Sequence, residues 1–307
     1  MNDGVIDFHT HVQPSASEGI AFQERFGFED PPRNGTPEEL LPIMDAAGLS
    51  RTLMVPWMPA QDLVAERLEG SARDADARER VRRDVVQAQL ALNQWAVDTV
   101  AKYAGRLECL VGLDPILMSA DELRAEVEDK LAKGACGLKI APMFLNAPPD
   151  DERVAIVFEQ ASRHGVFVLS QSGADGYAGQ PAWGHPSHFE EVLRAWPDVD
   201  IQLAHLGFGA EAEVARLTDR YPNLYADTSA RLYALGAPGE WTHAEAAEWF
   251  RRIGIERVVF GTNYPMHDPA GFIAAIRAMP LRDDERERIL YQNAAGILER
   301  TRRSGGG

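Results

Sequence analysis

Val5-Ile6-Asp7-Phe8-His9-Thr10-His11-Val12, four residues into the chain, is the stretch on which the rest of the reading hangs. A β-strand changes face at every residue, so this run places Asp7, His9 and His11 on one side and Ile6, Phe8 and Thr10 on the other. Two imidazoles then converge at one strand end. His-x-His on a strand brings two nitrogen ligands within reach of one zinc-type ion, or two acid/base groups within reach of one substrate. The competing reading is a histidine pair that caps an edge strand by hydrogen bonds. The apolar frame of the run, at the head of a chain that alternates strands and helices, favours the chemical reading.

Working outward, residues 13–37 are rich in Pro, Gly and charge and read as a long loop at the carboxyl end of the first strand. A short amphipathic helix over 38–47 and a strand over 49–55 follow. Residues 61–104 are helix formers with mixed charge, which predicts one or two long helices as an excursion after the second strand. Six more apolar strand runs then alternate with helical stretches, at 107–113, 136–141, 166–171, 199–205, 224–228 and 257–262. Ser119 predicts a helix cap, and His164-Gly165 a helix end. Eight strand–helix units in 307 residues predict a closed, somewhat distorted (β/α)8 barrel of the TIM type, one domain over 1–303 with a flexible tail at 304–307. No Gly-x-Gly-x-x-Gly follows a strand, so nothing supports dinucleotide binding.

Bulk composition narrows the partners. The net charge of −16 repels phosphate backbones and anionic lipid surfaces, which argues against nucleic-acid and membrane partners. With no apolar run near 18 residues and no leader-like start, the expectation is a cytoplasmic protein that takes a small-molecule substrate, a homodimer being left open. The two cysteines, Cys109 and Cys136, lie in separate apolar segments and read as buried thiols.

Active sites of such barrels lie at the carboxyl ends of the strands, where this chain carries His9, His11, Asp114, Lys139, Gln171, His205, Asp227 and Asn263. Asp-Phe-His-Thr-His at 7–11, Gly-Leu-Lys-Ile at 137–140, Ala-His-Leu-Gly at 204–207, Tyr-Ala-Asp-Thr-Ser at 225–229 and Phe-Gly-Thr-Asn-Tyr-Pro at 260–265 together resemble the amidohydrolase superfamily. The branch is similar to the amidohydrolase-related group of aminocarboxymuconate-semialdehyde and resorcylate decarboxylases. That resemblance implies one divalent metal, zinc or manganese, held by His9 and His11, by a fifth-strand histidine and by an eighth-strand aspartate. His205 matches the sixth-strand histidine that polarises substrate or metal-bound water.

Two positions depart from the pattern. Gln171 stands where the fifth-strand histidine belongs, and Asn263 where the aspartate belongs. An amide is a weak, neutral ligand, and it is no base at pH 7. The cofactor expectation is therefore either none or one weakly bound divalent metal on His9 and His11, assisted by Gln171 and Asn263. Three functional readings follow. In the first, the chain is a hydrolase or carboxy-lyase whose His9, His11, His205 and Asn263 act by acid/base and hydrogen-bonding chemistry without a tightly held metal; pyrone dicarboxylate lactonase, which resembles this branch, is a metal-free precedent. In the second, it is a metal-dependent decarboxylase or hydrolase with weakened metal binding. In the third, it is a non-catalytic binding barrel. Gln171, Lys139, Trp57, Phe144, His185, Arg231 and Tyr233 are expected around the substrate, where aromatic walls and a cation suit an aromatic or unsaturated carboxylate or a lactone.

Overall fold

The computed structural model describes residues 4–69, 74–176 and 179–304. Eight parallel strands follow one another around a ring: β1 (Val5–Thr10), β2 (Leu49–Met54), β3 in two pieces (Leu107–Cys109 and Val111–Gly112), β4 (Gly137–Ile140), β5 (Phe167–Ser170), β6 (Ile201–Leu203), β7 (Leu224–Asp227) and β8 (Val258–Val259). The break inside β3 divides the ladder into a three-stranded and a six-stranded parallel sheet. Leu110, at the break, still donates from its backbone to Met54 on β2 (3.1 Å), and Leu113 donates to Lys139 on β4 (3.0 Å). At the other seam Phe8 N–H bonds Phe260 O (2.8 Å) and Thr10 bridges Tyr264, which joins β1 to the chain just past β8.

Helices cover the outside. α1 (Ala16–Arg25) and α2 (Pro37–Ala47) lie between β1 and β2; α3 (Ala60–Arg67) and the 28-residue α4 (Ala75–Lys102) make the excursion after β2. At least one helix then follows each strand: α5 (Ala120–Ala132) after β3, α6 (Pro142–Leu145) and α7 (Ala155–His164) after β4, α8 (Phe189–Ala195) after β5, α9 (Glu211–Thr218) after β6, α10 (His243–Ile253) after β7, and α11 (Pro269–Ala278), α12 (Asp283–Glu287) and α13 (Asn293–Ser304) after β8. Of the tail expected at 304–307, Ser304 ends α13 and residues 305–307 lie outside the described residues. No helix among the described residues is long and apolar enough to cross a membrane.

The apolar side chains form two layers. Ile6, Phe8, Leu53, Leu110, Phe167, Leu169, Tyr225 and Val259 fill the ring from strands on all sides, and Ala294, Ile297 and Leu298 of α13 pack on them. The alternate residues, such as Met54, Leu138, Ile140, Val168 and Leu203, belong to a larger cluster that includes Leu123, Val127, Phe158 and Phe189 of the surrounding helices. Strands buried on both faces explain the continuous apolar runs in the sequence. Cys109 and Cys136 are free, buried thiols.

Two expectations are corrected here. Residues 13–37 are not all loop: Ser15 caps α1 by accepting from Glu18 N–H (3.3 Å), and Ser-x-x-Glu at 15–18 outweighs the surrounding Pro and Gly. The strict alternation assumed for β1 also fails. Phe8 stacks on Phe167 inside the ring, with centroids 5.3 Å apart, while His9 turns toward β7 and β8. The β1–β2 register shifts between Asp7 and Thr10, so one extra residue is accommodated and Phe8 and His9 both reach inward. Gly261 makes room for this, since a Cβ there would sit 2.9 Å from His9 Cβ.

Candidate active site

At the carboxyl ends of the strands a cavity of about 210 Å³ is lined by His9 and His11 from the end of β1, Lys139 from β4, Gln171 after β5, His205 after β6 and Asn263 after β8. Phe22, Phe26, Trp57 and Phe144 form its other side. Trp57 and Phe144 approach to 4.7 Å between ring centroids, and Phe22 lies 5.1 Å from the His11 ring. Polar groups thus make the floor and aromatic rings the wall.

The floor is organised by Asp227, at the end of β7. Its Oδ1 accepts from the backbone N–H of His205 (3.1 Å) and of Ser229 (3.0 Å) and from the Ser229 hydroxyl; its Oδ2 accepts from Gln202 Nε2 (2.6 Å) and His9 Nδ1 (3.0 Å). Burial opposes the charge on Asp227, but the positive charge His9 can carry and the hydrogen bonds from His9 and Ser229 outweigh it and hold the carboxyl below its usual range. An ionised carboxylate only accepts, so His9 donates from Nδ1. Ser229 spends its one proton on Asp227 and therefore meets His9 Nδ1 (3.0 Å) and His205 Nδ1 (2.9 Å) with lone pairs. His205 Nδ1 also donates to Ser229 O (2.8 Å), and His11 Nδ1 to Val55 O (3.3 Å).

Every Nδ1 in the trio is occupied as a donor, so each neutral ring carries a bare lone pair on Nε2. Neutrality follows from burial. It lowers the pKa of His9, lowers that of His11 further, and is the largest cause that brings His205 down to about 4. Asp7, buried beneath Thr262, is pushed up to about 7 and lies behind the site.

The remaining floor groups differ in kind. Lys139 is buried, its pKa brought down to about 7 by desolvation against the pull of Asp227. The amide oxygens of Gln171 and Asn263 are buried and have no hydrogen-bond partner among the described residues. Gly184 leaves the space that Gln171 uses, because a Cβ there would stand 2.5 Å from Gln171 Oε1. His205 (φ 61°) and Asn263 (φ 67°) both sit in the left-handed region, at a cost of about 1 kcal/mol each.

Whether this floor suits a divalent ion can be judged from the nitrogens. His9 Nε2 and His11 Nε2 are 3.3 Å apart. Two nitrogens about 2.0–2.1 Å from one tetrahedral ion stand about 3.3 Å apart. Both lone pairs face the same gap, which a cation would fill. The pair fits an ion, and the orphaned oxygens of Gln171 and Asn263 are acceptors in the same cavity. Among the described residues no cluster of three His, Cys, Asp or Glu side chains completes a charged shell.

Of the other residues expected around a substrate, Trp57 and Phe144 line the cavity, whereas His185, Arg231 and Tyr233 do not. His185 accepts from Ser187 N–H (3.2 Å) and caps the short helix Pro186–His188. Arg231 is drawn away by Glu211 (2.6 Å) and Glu240 (3.2 Å) and lies 3.7 Å over Trp241. Tyr233 is 58% exposed and stacks on His267. Asp114 accepts from Gln61 and from the backbone of Ile116 and Leu117. Sequence reasoning missed Ser229, whose Tyr-Ala-Asp-Thr-Ser context was visible, and Phe22 and Phe26, hidden in the supposed loop.

Residues 6–300 match the family described as Amidohydro_2, amidohydrolase. No curated protein matches the sequence. Among solved structures the chain is similar to an uncharacterized Tim-barrel protein from Bordetella bronchiseptica, at 20% identity over 97% of this chain and 99% of that one (TM-score 0.72). It is also similar to 5-carboxyvanillate decarboxylase from Sphingomonas paucimobilis, at 18% identity over 96% and 99% (TM-score 0.63). A putative 2-pyrone-4,6-dicarboxylic acid hydrolase from Pseudomonas putida matches at 17% identity over 97% and 98% (TM-score 0.60).

Proposed function

The chain belongs to the amidohydrolase family, and from that premise we propose that it hydrolyses a small cyclic ester or lactone bearing a carboxylate, with His205 as the base and Lys139 as the anion anchor. The observation that carries this reading is the imbalance of the floor. Among the titratable groups that line it, three imidazole Nε2 atoms accept and Lys139 is the cation, while the amide oxygens of Gln171 and Asn263 add two unpaired acceptors beside their own N–H donors. Such a floor suits a reaction that begins by taking a proton from water.

His205, tied at Nδ1, takes that proton at Nε2 as water adds to the ester carbonyl, shares the resulting charge with Asp227 and Ser229 through hydrogen bonds already formed, and returns the proton to the ring oxygen as the ester C–O bond breaks. Lys139, charged once an anion is beside it, holds the substrate carboxylate or the oxygen that becomes negative as water adds. Asn263 and Gln171 accept from substrate hydroxyls. A divalent ion, where present, would be held by His9 and His11 with the amide oxygens of Gln171 and Asn263, and would supply Lewis acidity toward water. Without an anionic ligand in that set its affinity is low. A cavity of about 210 Å³ lies below the roughly 300–1,000 Å³ of drug-sized pockets, which suits one ring.

A second reading, decarboxylation of a hydroxyaryl carboxylate, is favoured by the aromatic wall, because a poorly solvated carboxylate is destabilised relative to neutral CO2. Incubation with 2-pyrone-4,6-dicarboxylate, 5-carboxyvanillate and 2,6-dihydroxybenzoate, followed by ultraviolet spectra and CO2 release, separates the two. Ring opening without CO2 supports hydrolysis; CO2 release transfers the site to the second reading. Turnover of other single-ring lactones would widen the substrate class. Failure to turn over any lactone or ring carboxylate would overturn both.

A further inference from the structure

A second cavity, of about 610 Å³, adjoins the first and shares two of its lining residues, Phe22 and Trp57. Its remaining walls come from α1, α3 and α4, including Ala21, Leu63, Ala88, Leu92 and Trp95, with Met58 and Pro59 between β2 and α3. Phe22 and Trp57 are therefore a partition. On one side both rings approach His11, with centroids 5.1 and 6.5 Å from the imidazole; on the other they border a mostly apolar chamber nearly three times as large, which Gln13, Glu18 and Arg25 also line.

The partition is held firmly. Gly19, one turn before Phe22, packs so closely on the Asn34 carbonyl that a Cβ would lie 1.8 Å from it. Gln23 Nε2 donates to Arg33 O (2.7 Å) and Gly19 O (2.9 Å), pinning α1 to the following turn. Arg25 pairs with Glu66 (2.7 Å), which ties α1 to α3 across the chamber. Trp57 is braced by Phe144 and Phe26 at 4.7 and 6.3 Å.

We propose that Phe22 and Trp57 are specificity-determining residues: they confine the catalytic cavity to single-ring carboxylates, and the chamber behind them is a distal subsite for an apolar or aromatic extension that opens when the partition is shortened. The inference rests on the carboxylate reading given above, and its test separates the two. Benzoate and biphenyl-4-carboxylate are titrated into the purified protein by calorimetry, using wild type, Phe22→Ala, Phe22→Leu, Trp57→Leu and Lys139→Met. Wild type is expected to bind benzoate at least tenfold more tightly than the biphenyl acid. Phe22→Ala should shift the ratio of biphenyl to benzoate affinity at least tenfold toward the biphenyl acid, with smaller shifts for Phe22→Leu and Trp57→Leu. Should Phe22→Ala fail to fold, those two milder variants carry the same prediction. Equal affinity of wild type for both acids, or no change in the ratio in any folded partition variant, overturns the proposal. No binding of benzoate to wild type overturns it as well. Undiminished binding by Lys139→Met refutes the carboxylate anchor and leaves the partition to be judged on the ratio.

Discussion

The two halves of the cavity floor are built on opposite principles. On the β1, β6 and β7 side, each Nδ1 of His9, His11 and His205 has an acceptor, and Asp227 gathers five donors. On the β5 and β8 side, Gln171 and Asn263 present buried amide oxygens that meet nothing among the described residues. A buried acceptor left unpaired costs about 1–3 kcal/mol. The histidine half spends its hydrogen bonds on fixing itself, and the amide half is satisfied when something binds. The first is the candidate machinery and the second the candidate receptor.

Breaking the histidine half should have the largest effect. His205→Asn removes the base and should lower kcat by about 10²–10⁴-fold, with KM nearly unchanged. Steady-state kinetics on the substrate found by the panel checks this, and a loss below tenfold would remove His205 from the chemistry.

Lys139 comes next. A charge-assisted hydrogen bond is worth about 1.5–3 kcal/mol, so Lys139→Met should weaken carboxylate binding about 10–100-fold. Its pH dependence has a definite sign. With the free-protein pKa near 7, below the usual 10.5, the ammonium is ready for an anion below pH 7. As pH rises above 7, binding must take up a proton and weakens by up to about tenfold per pH unit. Calorimetry at pH 6.5, 7.5 and 8.5 should show the decline in wild type and a flat profile in Lys139→Met.

The amide half can be sharpened by restoring charge. Gln171→His with Asn263→Asp supplies an imidazole and an anion beside the His9–His11 pair, and should raise bound zinc from well below one ion per chain to near one. Elemental analysis after purification without chelator reads this. Near-stoichiometric zinc in wild type would show that the neutral shell suffices. Ser229→Ala should have the smallest effect, below tenfold in kcat, because Asp227 and the carbonyl of residue 229 still accept from His9 and His205.

How much of this was legible in the sequence follows the same division. Most strands of this barrel are rich in apolar residues and are followed by polar, Gly or Pro residues, so their order and the residues at their ends could be read locally. His9, Lys139, Gln171, His205 and Asn263 were found that way, and the structure brings them into one cavity. What could not be read depends on distant partners. The inward turn of both Phe8 and His9 needs the close approach of Gly261, more than 250 residues away. Arg231 looked like a pocket cation until Glu211, Glu240 and Trp241 claimed it. α1 was legible in Ser15 and Glu18, yet the surrounding Pro, Gly and charge masked it.

The central claim is that the three imidazoles are neutral, protonated at Nδ1, and bare at Nε2. Nitrogen-15 NMR of histidine-labelled protein at pH 7 reads each ring directly. The account predicts that His9, His11 and His205 all show a protonated Nδ1 and an unprotonated Nε2. A proton on Nε2 of His205, or imidazolium at all three rings, would contradict it.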